Sequence, residues 1–115
     1  MTFECFEVTT VGKIAHVQMS RGESLNTMIP SFWRELPEII NAISDEGTAR
    51  AIVLSSTGRH FCAGMDLSVF TGGSLFGAEK PERGRKNAIT RSGALHLQES
   101  FNCLERARMP VLAAI

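Results

Sequence analysis

Apolar Phe3, Cys5 and Val8 interleave with polar residues over positions 3–9, and the alternation resumes over 14–19. A period of two marks a half-buried strand, and Gly12-Lys13 between the runs predicts a turn, hence a hairpin. The polar stretch "SRGESLNT" at 20–27 reads as a loop. The period then changes: Ile29, Phe32, Trp33, Leu36, Ile40 and Ile43 recur at three and four, which predicts an amphipathic helix. Thr27 is its expected N-cap and Pro30 suits its first turn. Pro37 is expected to kink or split it, and Gly47 to close it. Glu35 and Glu38 fall on its polar side and read as a solvated face.

"AIVL" at 51–54 is short and continuously apolar, the pattern of a strand covered on both faces. After polar "SSTGR", the stretch "HFCAGMDL" looks like a buried strand ending in Ala63-Gly64, with a helix starting at the acidic residue that follows. Glycines and mixed charges over 71–85 predict a mobile loop or lid. Leu97, Phe101 and Leu104, extended by Ala94 and Ala107, mark one face of a second long helix over 86–108. Met109-Pro110 ends it. Positions 111–115, "VLAAI", read as another buried strand. A chain that stops inside such a strand is expected to be part of a longer polypeptide. Strands that follow helices imply right-handed crossovers, so the expected class is a layered α/β fold.

The chain has 115 residues, enough for one domain with a modest core. Twelve Lys and Arg balance twelve Asp and Glu, so no basic field marks a nucleic-acid or anionic-membrane partner. No run approaches the roughly 18 apolar residues of a membrane span. The N-terminal stretch has no basic start and no secretory core, so the expected location is cytoplasmic, or an organelle if a transit peptide has been trimmed. Cys5, Cys62 and Cys103 have no CxxC spacing and read as three buried thiols in a reducing compartment. His16, His60 and His96 share no metal-ligand spacing, and no metal site is expected.

Chemistry concentrates in Ala63-Gly64-Met65. Gly64 reads either as a plain turn residue with Met65 in the core, or as a glycine that lets a ligand approach closely at a turn whose backbone N–H groups are free for a ligand oxygen. Asp66 beside such an oxygen would repel it unless the side chain turns away, so capping the following helix is its expected role. Arg59 could face a phosphate or simply be solvated.

"HFCAGMDL" resembles the FxAGxDL motif of the crotonase superfamily, the enoyl-CoA hydratases and isomerases. "RMPVLAAI" at 108–115 resembles the strand that in that family precedes a second oxyanion segment, and "SRGESLNTM" resembles its RPxxxNAL loop. Gly22 stands where the family usually has Pro, which should leave the loop less rigid. "FWREL", "GMDL" and "LQESFNCLERARMPVLAAI" look most like the dienoyl-CoA isomerase branch. The resemblance spans the chain and implies the N-terminal part of a single ββα-spiral domain, of a kind assembled as homotrimers or hexamers. It implies an acyl-CoA thioester as ligand, with CoA part of the substrate and no separate cofactor. The Met65 backbone N–H becomes the first oxyanion donor, and Ala63, Gly64, Met65, Asp66 and Leu67 border the bound CoA. In the family the second oxyanion glycine and the acid/base carboxylates follow the "PVLAAI" strand, so this chain alone is expected to be inactive. The competing expectation is a non-catalytic short form, an oligomer-interaction or acyl-CoA-binding module.

Overall fold

The hairpin consists of β1 (Phe6–Val11) and β2 (Ile14–Met19), antiparallel, with Phe6 opposite Met19 and Val11 opposite Ile14. The computed structural model describes residues 2–71 and 83–115. β1 starts three residues later than the alternation suggests, because a side chain takes the preceding donors. The N–H groups of Glu4 and Cys5 donate to the two carboxylate oxygens of Glu35, at 2.8 and 2.9 Å. Glu35 is therefore not part of a solvated face; it is 4% exposed. Glu38 is exposed, as expected.

Helix α1 (Pro30–Glu46) follows the loop. Ile29 is its N-cap, in extended conformation and with no side-chain capping bond, so Thr27 does not cap it. Pro30 at the first position lacks the N–H that a cap would otherwise serve. Helix α1 is a single element through Pro37, and it closes at Gly47, whose φ is +73°. Phe32, Trp33, Leu36, Ile39 and Ile40 are buried on its core face. Their burial against the sheet outweighs the one ladder bond that a mid-helix proline removes.

Strand β3 (Ala51–Ser56) lies parallel to β2, and β4 (Val111–Ala113) lies parallel to β3, giving the order β1-β2-β3-β4. Besides α1, the described residues form the four-residue α2 (Ser68–Thr71) and the 24-residue α3 (Arg83–Arg106), with a 3-10 turn at Gly22–Ser24. The mixed α/β class agrees with the sequence pattern, helix joining each parallel pair.

Two burial expectations fail for one reason. In β3 only Ile52 is fully buried, and Leu112 of β4 is 54% exposed. Among the described residues the helices cover one face of the sheet, so neither strand is enclosed on both sides. The face of α3 toward α1 also differs from the periodicity. Ser100 and Cys103, both 0% exposed, lie at its centre, while Phe101 is 45% exposed. Small side chains there let the helices approach closely; Leu97 and Leu104 pack partly buried beside them. The expected lid falls mostly on 72–82, outside the described residues, and Arg83 and Arg85 belong to α3.

Candidate functional site

Residues 61–66 run beside residues 25–28 without forming a strand. Ala63 N–H donates to Leu25 O at 3.0 Å, Met28 N–H to Gly64 O at 2.8 Å, and Asp66 N–H to Met28 O at 2.8 Å. Together they make one parallel bridge, Met28 to Met65. In this bridge Met28 uses both its own N–H and C=O, while on the other side Gly64 and Asp66, the residues flanking Met65, are its partners, so the Met65 N–H faces away from Met28. The Met65 N–H accordingly has no hydrogen-bond partner among the described residues. It is a donor left open on an otherwise fastened backbone.

Gly64 makes the shape possible. Its φ is +96°, and a Cβ placed there would meet nothing within 4 Å, so the requirement is conformational rather than spatial. The same φ breaks the extended run. Phe61-Cys62-Ala63 is consequently irregular backbone and not a buried strand, and Cys62 and Ala63 are exposed. Only Cys5 and Cys103 are buried thiols.

Asp66 turns its carboxylate away from the open donor. Its Oδ2 accepts from the Thr27 hydroxyl at 2.7 Å and lies 3.8 Å from Arg21 Nη2; its Oδ1 accepts from the Ser68 N–H at 2.9 Å. These hydrogen bonds, first to Ser68 and then to Thr27, with a smaller contribution from Arg21, hold the carboxyl down at about 2. It caps the turn that follows, as its position suggests. That helix begins at Ser68, three residues beyond Met65, and spans four residues. The Met65 N–H therefore lies outside it, and helix-dipole support for this donor is small. Val69 anchors the turn in the core, while Leu67 is 78% exposed. The structure thus brings Ala63, Gly64, Met65 and Asp66 against the 25–28 loop and leaves the Leu67 side chain in solvent.

The loop has its own fastening, which sequence periodicity does not mark. Leu25 and Asn26 are consecutive left-handed residues, at φ +58° and +53°. Asn26 is 2% exposed, and its Nδ2 donates to Thr57 O at 2.7 Å and His60 O at 2.9 Å. Asparagine tolerates the left-handed region better than most residues, which is the one local hint the sequence offers. Beside this clamp lies a cleft of about 740 Å³, walled by Arg21, Glu23 and Leu25 on one side and Gly58, Arg59 and His60 on the other. Arg59 is exposed on its wall. Among the described residues no three His, Cys, Asp or Glu side chains converge as a metal site would require.

Residues 9–115 match the family model described as "Enoyl-CoA hydratase/isomerase". The chain belongs to this family. Its relatives include a human mitochondrial Delta(3,5)-Delta(2,4)-dienoyl-CoA isomerase, 35% identical over 99% of this chain and 35% of that protein. A peroxisomal protein of the same name from Arabidopsis thaliana is 29% identical over 99% of this chain and 41% of its own length. A solved structure from Thermobifida fusca, described as an enoyl-CoA hydratase in complex with acetoacetyl-CoA, superposes with a TM-score of 0.76 at 28% identity. It matches 96% of this chain and 42% of the other. The fold is therefore that of the crotonase-type hydratases and isomerases, and the chain spans well under half the length of these relatives. No described helix is long and apolar enough to cross a membrane.

Proposed function

We propose that residues 63–67 receive the thioester end of an acyl-CoA, with the Met65 N–H donating to the thioester carbonyl oxygen. The open Met65 donor, on a backbone fastened at Ala63, Gly64 and Asp66, carries this reading. When a thioester forms an enolate, negative charge gathers on that oxygen, and a donor already fixed in place needs no reorganisation to stabilise it. A backbone donor also costs no side-chain entropy. Asp66 contributes by facing Thr27, Arg21 and Ser68, so its charge does not oppose the enolate and it does not serve as the proton-transfer group.

The reaction class that fits is enoyl-CoA hydration or isomerisation in fatty-acid or related acyl-CoA metabolism. The dienoyl-CoA isomerase branch is favoured by the names of the relatives above. CoA enters as part of the substrate, not as a separate cofactor. In this reading the chain is the N-terminal part of one crotonase-like domain, and the acid/base groups come from outside it. The chain alone then binds acyl-CoA without turning it over. For the whole protein this reading carries the homotrimer or hexamer that the family resemblance implies.

Titration of the isotopically labelled chain with acetoacetyl-CoA tests the site. The Met65 amide resonance should shift among the most. Met65→Ala should bind nearly as well as the parent chain, whereas Met65→Pro, which lacks the N–H, should bind about tenfold more weakly with an unchanged melt. Equal, small losses in the two folded variants would remove Met65 from the site.

A further inference from the structure

We propose that Asn26 is the positioning residue for the Met65 donor, an inference that rests on the reading of Met65 given above. The donor's segment is attached to the 25–28 loop by three backbone bonds, from Ala63, Met28 and Asp66. Such bonds fix register, but they fix position only if the loop is itself held. Asn26 holds it: one side-chain amide donates to Thr57 O and His60 O, the two ends of the turn that delivers the chain from β3 to the donor segment. Both ends of the approach are thus tied to the residue next to Leu25, the acceptor for Ala63.

The orientation of the amide follows from its surroundings. Two carbonyl oxygens face Nδ2; a flipped amide would set Oδ1 against both, with no attraction. Oδ1 is buried and meets no donor among the described residues. All the hydrogen bonding of this side chain therefore goes into the two carbonyls. The cost of that orphaned acceptor and of the left-handed backbone at 25–26 is tolerated here, where the surrounding bonds over-determine the geometry. Aspartate, nearly the same shape, has no donor when ionised and would repel both carbonyls; protonated, it can donate to one.

Hydrogen exchange and acyl-CoA binding together test this. In the parent chain the Asn26 Nδ2 protons should exchange slowly; exchange at the rate of a solvated amide would overturn the proposal without any variant. In Asn26→Ala the amides of Met28, Ala63 and Asp66 should exchange roughly tenfold faster or more, the scale of one to two lost hydrogen bonds. Amides in the β2–β3 ladder should keep their protection, and affinity for acetoacetyl-CoA should fall by a similar factor. In Asn26→Asp, protection at Ala63 and Asp66 should partly return as the pH is lowered through the titration of the new carboxyl. A uniform loss across the sheet, or local loss with unchanged affinity, would make Asn26 merely structural and overturn the proposal. If the parent chain binds no acetoacetyl-CoA, the reading of Met65 falls. The local exchange pattern would then still decide whether Asn26 positions this segment.

Discussion

The Thr27 hydroxyl and the Asp66 carboxylate meet at 2.7 Å across 39 residues of chain. The contact joins the loop after β2 to the segment after β3, beside the candidate donor. Together with the larger contribution of Ser68, it makes the folded protein prefer an ionised Asp66, whose carboxyl lies at about 2 instead of the ordinary 3.8.

A lowered folded value means stability that is present above the unfolded value and lost as pH falls toward the folded one. The melting temperature of the parent chain should therefore exceed that of Asp66→Asn by a constant margin above about pH 4. The margin should shrink between pH 4 and pH 2. Thermal melts of both proteins across this range measure it, with other carboxylates cancelling in the comparison. A margin independent of pH would show that Asp66 is not held ionised.

Gly22→Pro restores the residue usual in the family loop, and rigidity alone would predict a gain of about 0.4–1 kcal/mol. The structure predicts the opposite sign. A Cβ at position 22 would lie 2.8 Å from Thr57 Oγ1 and 2.9 Å from the Thr57 carbonyl carbon. The two loops would have to part, at a cost of about 1–3 kcal/mol by analogy with overpacked cores. Denaturant midpoints of the two proteins decide between the signs.

Thiol reactivity should separate the cysteines. Burial, reinforced by the Glu35 carboxylate, raises the Cys5 thiol to about 11, and burial likewise raises that of Cys103. Cys62 is exposed. With a disulfide reagent at pH 8, one thiol per chain should react at once and two only after unfolding. Three equally fast thiols would contradict the packing of α3 on α1.

Legibility in the sequence followed interaction range. The hairpin, both long helices and their order were readable because each leaves a period of two or of 3.6 among near neighbours. Gly64 could also be read, since its role is a local backbone angle. Glu35 could not. Its own charge argues for solvent, and only Glu4 and Cys5, 31 and 30 residues away, reveal why it is buried. Asn26 is similar, with partners 31 and 34 residues distant. Cys62 misled because an apolar run, Phe61-Cys62-Ala63, has strand-like composition while its backbone makes a single bridge. Two-sided coverage of β3 and β4 was inferred from composition, which records what a strand can bury and not what the described residues place over it.

The Glu35 carboxylate has a mechanical consequence. A pull applied ahead of Glu4 would not peel β1 from β2 one bond at a time. It would first load two hydrogen bonds in parallel and pass the force straight into the second turn of α1. Hairpin and helix therefore share that tension as one unit, with the carboxylate as the coupling between them.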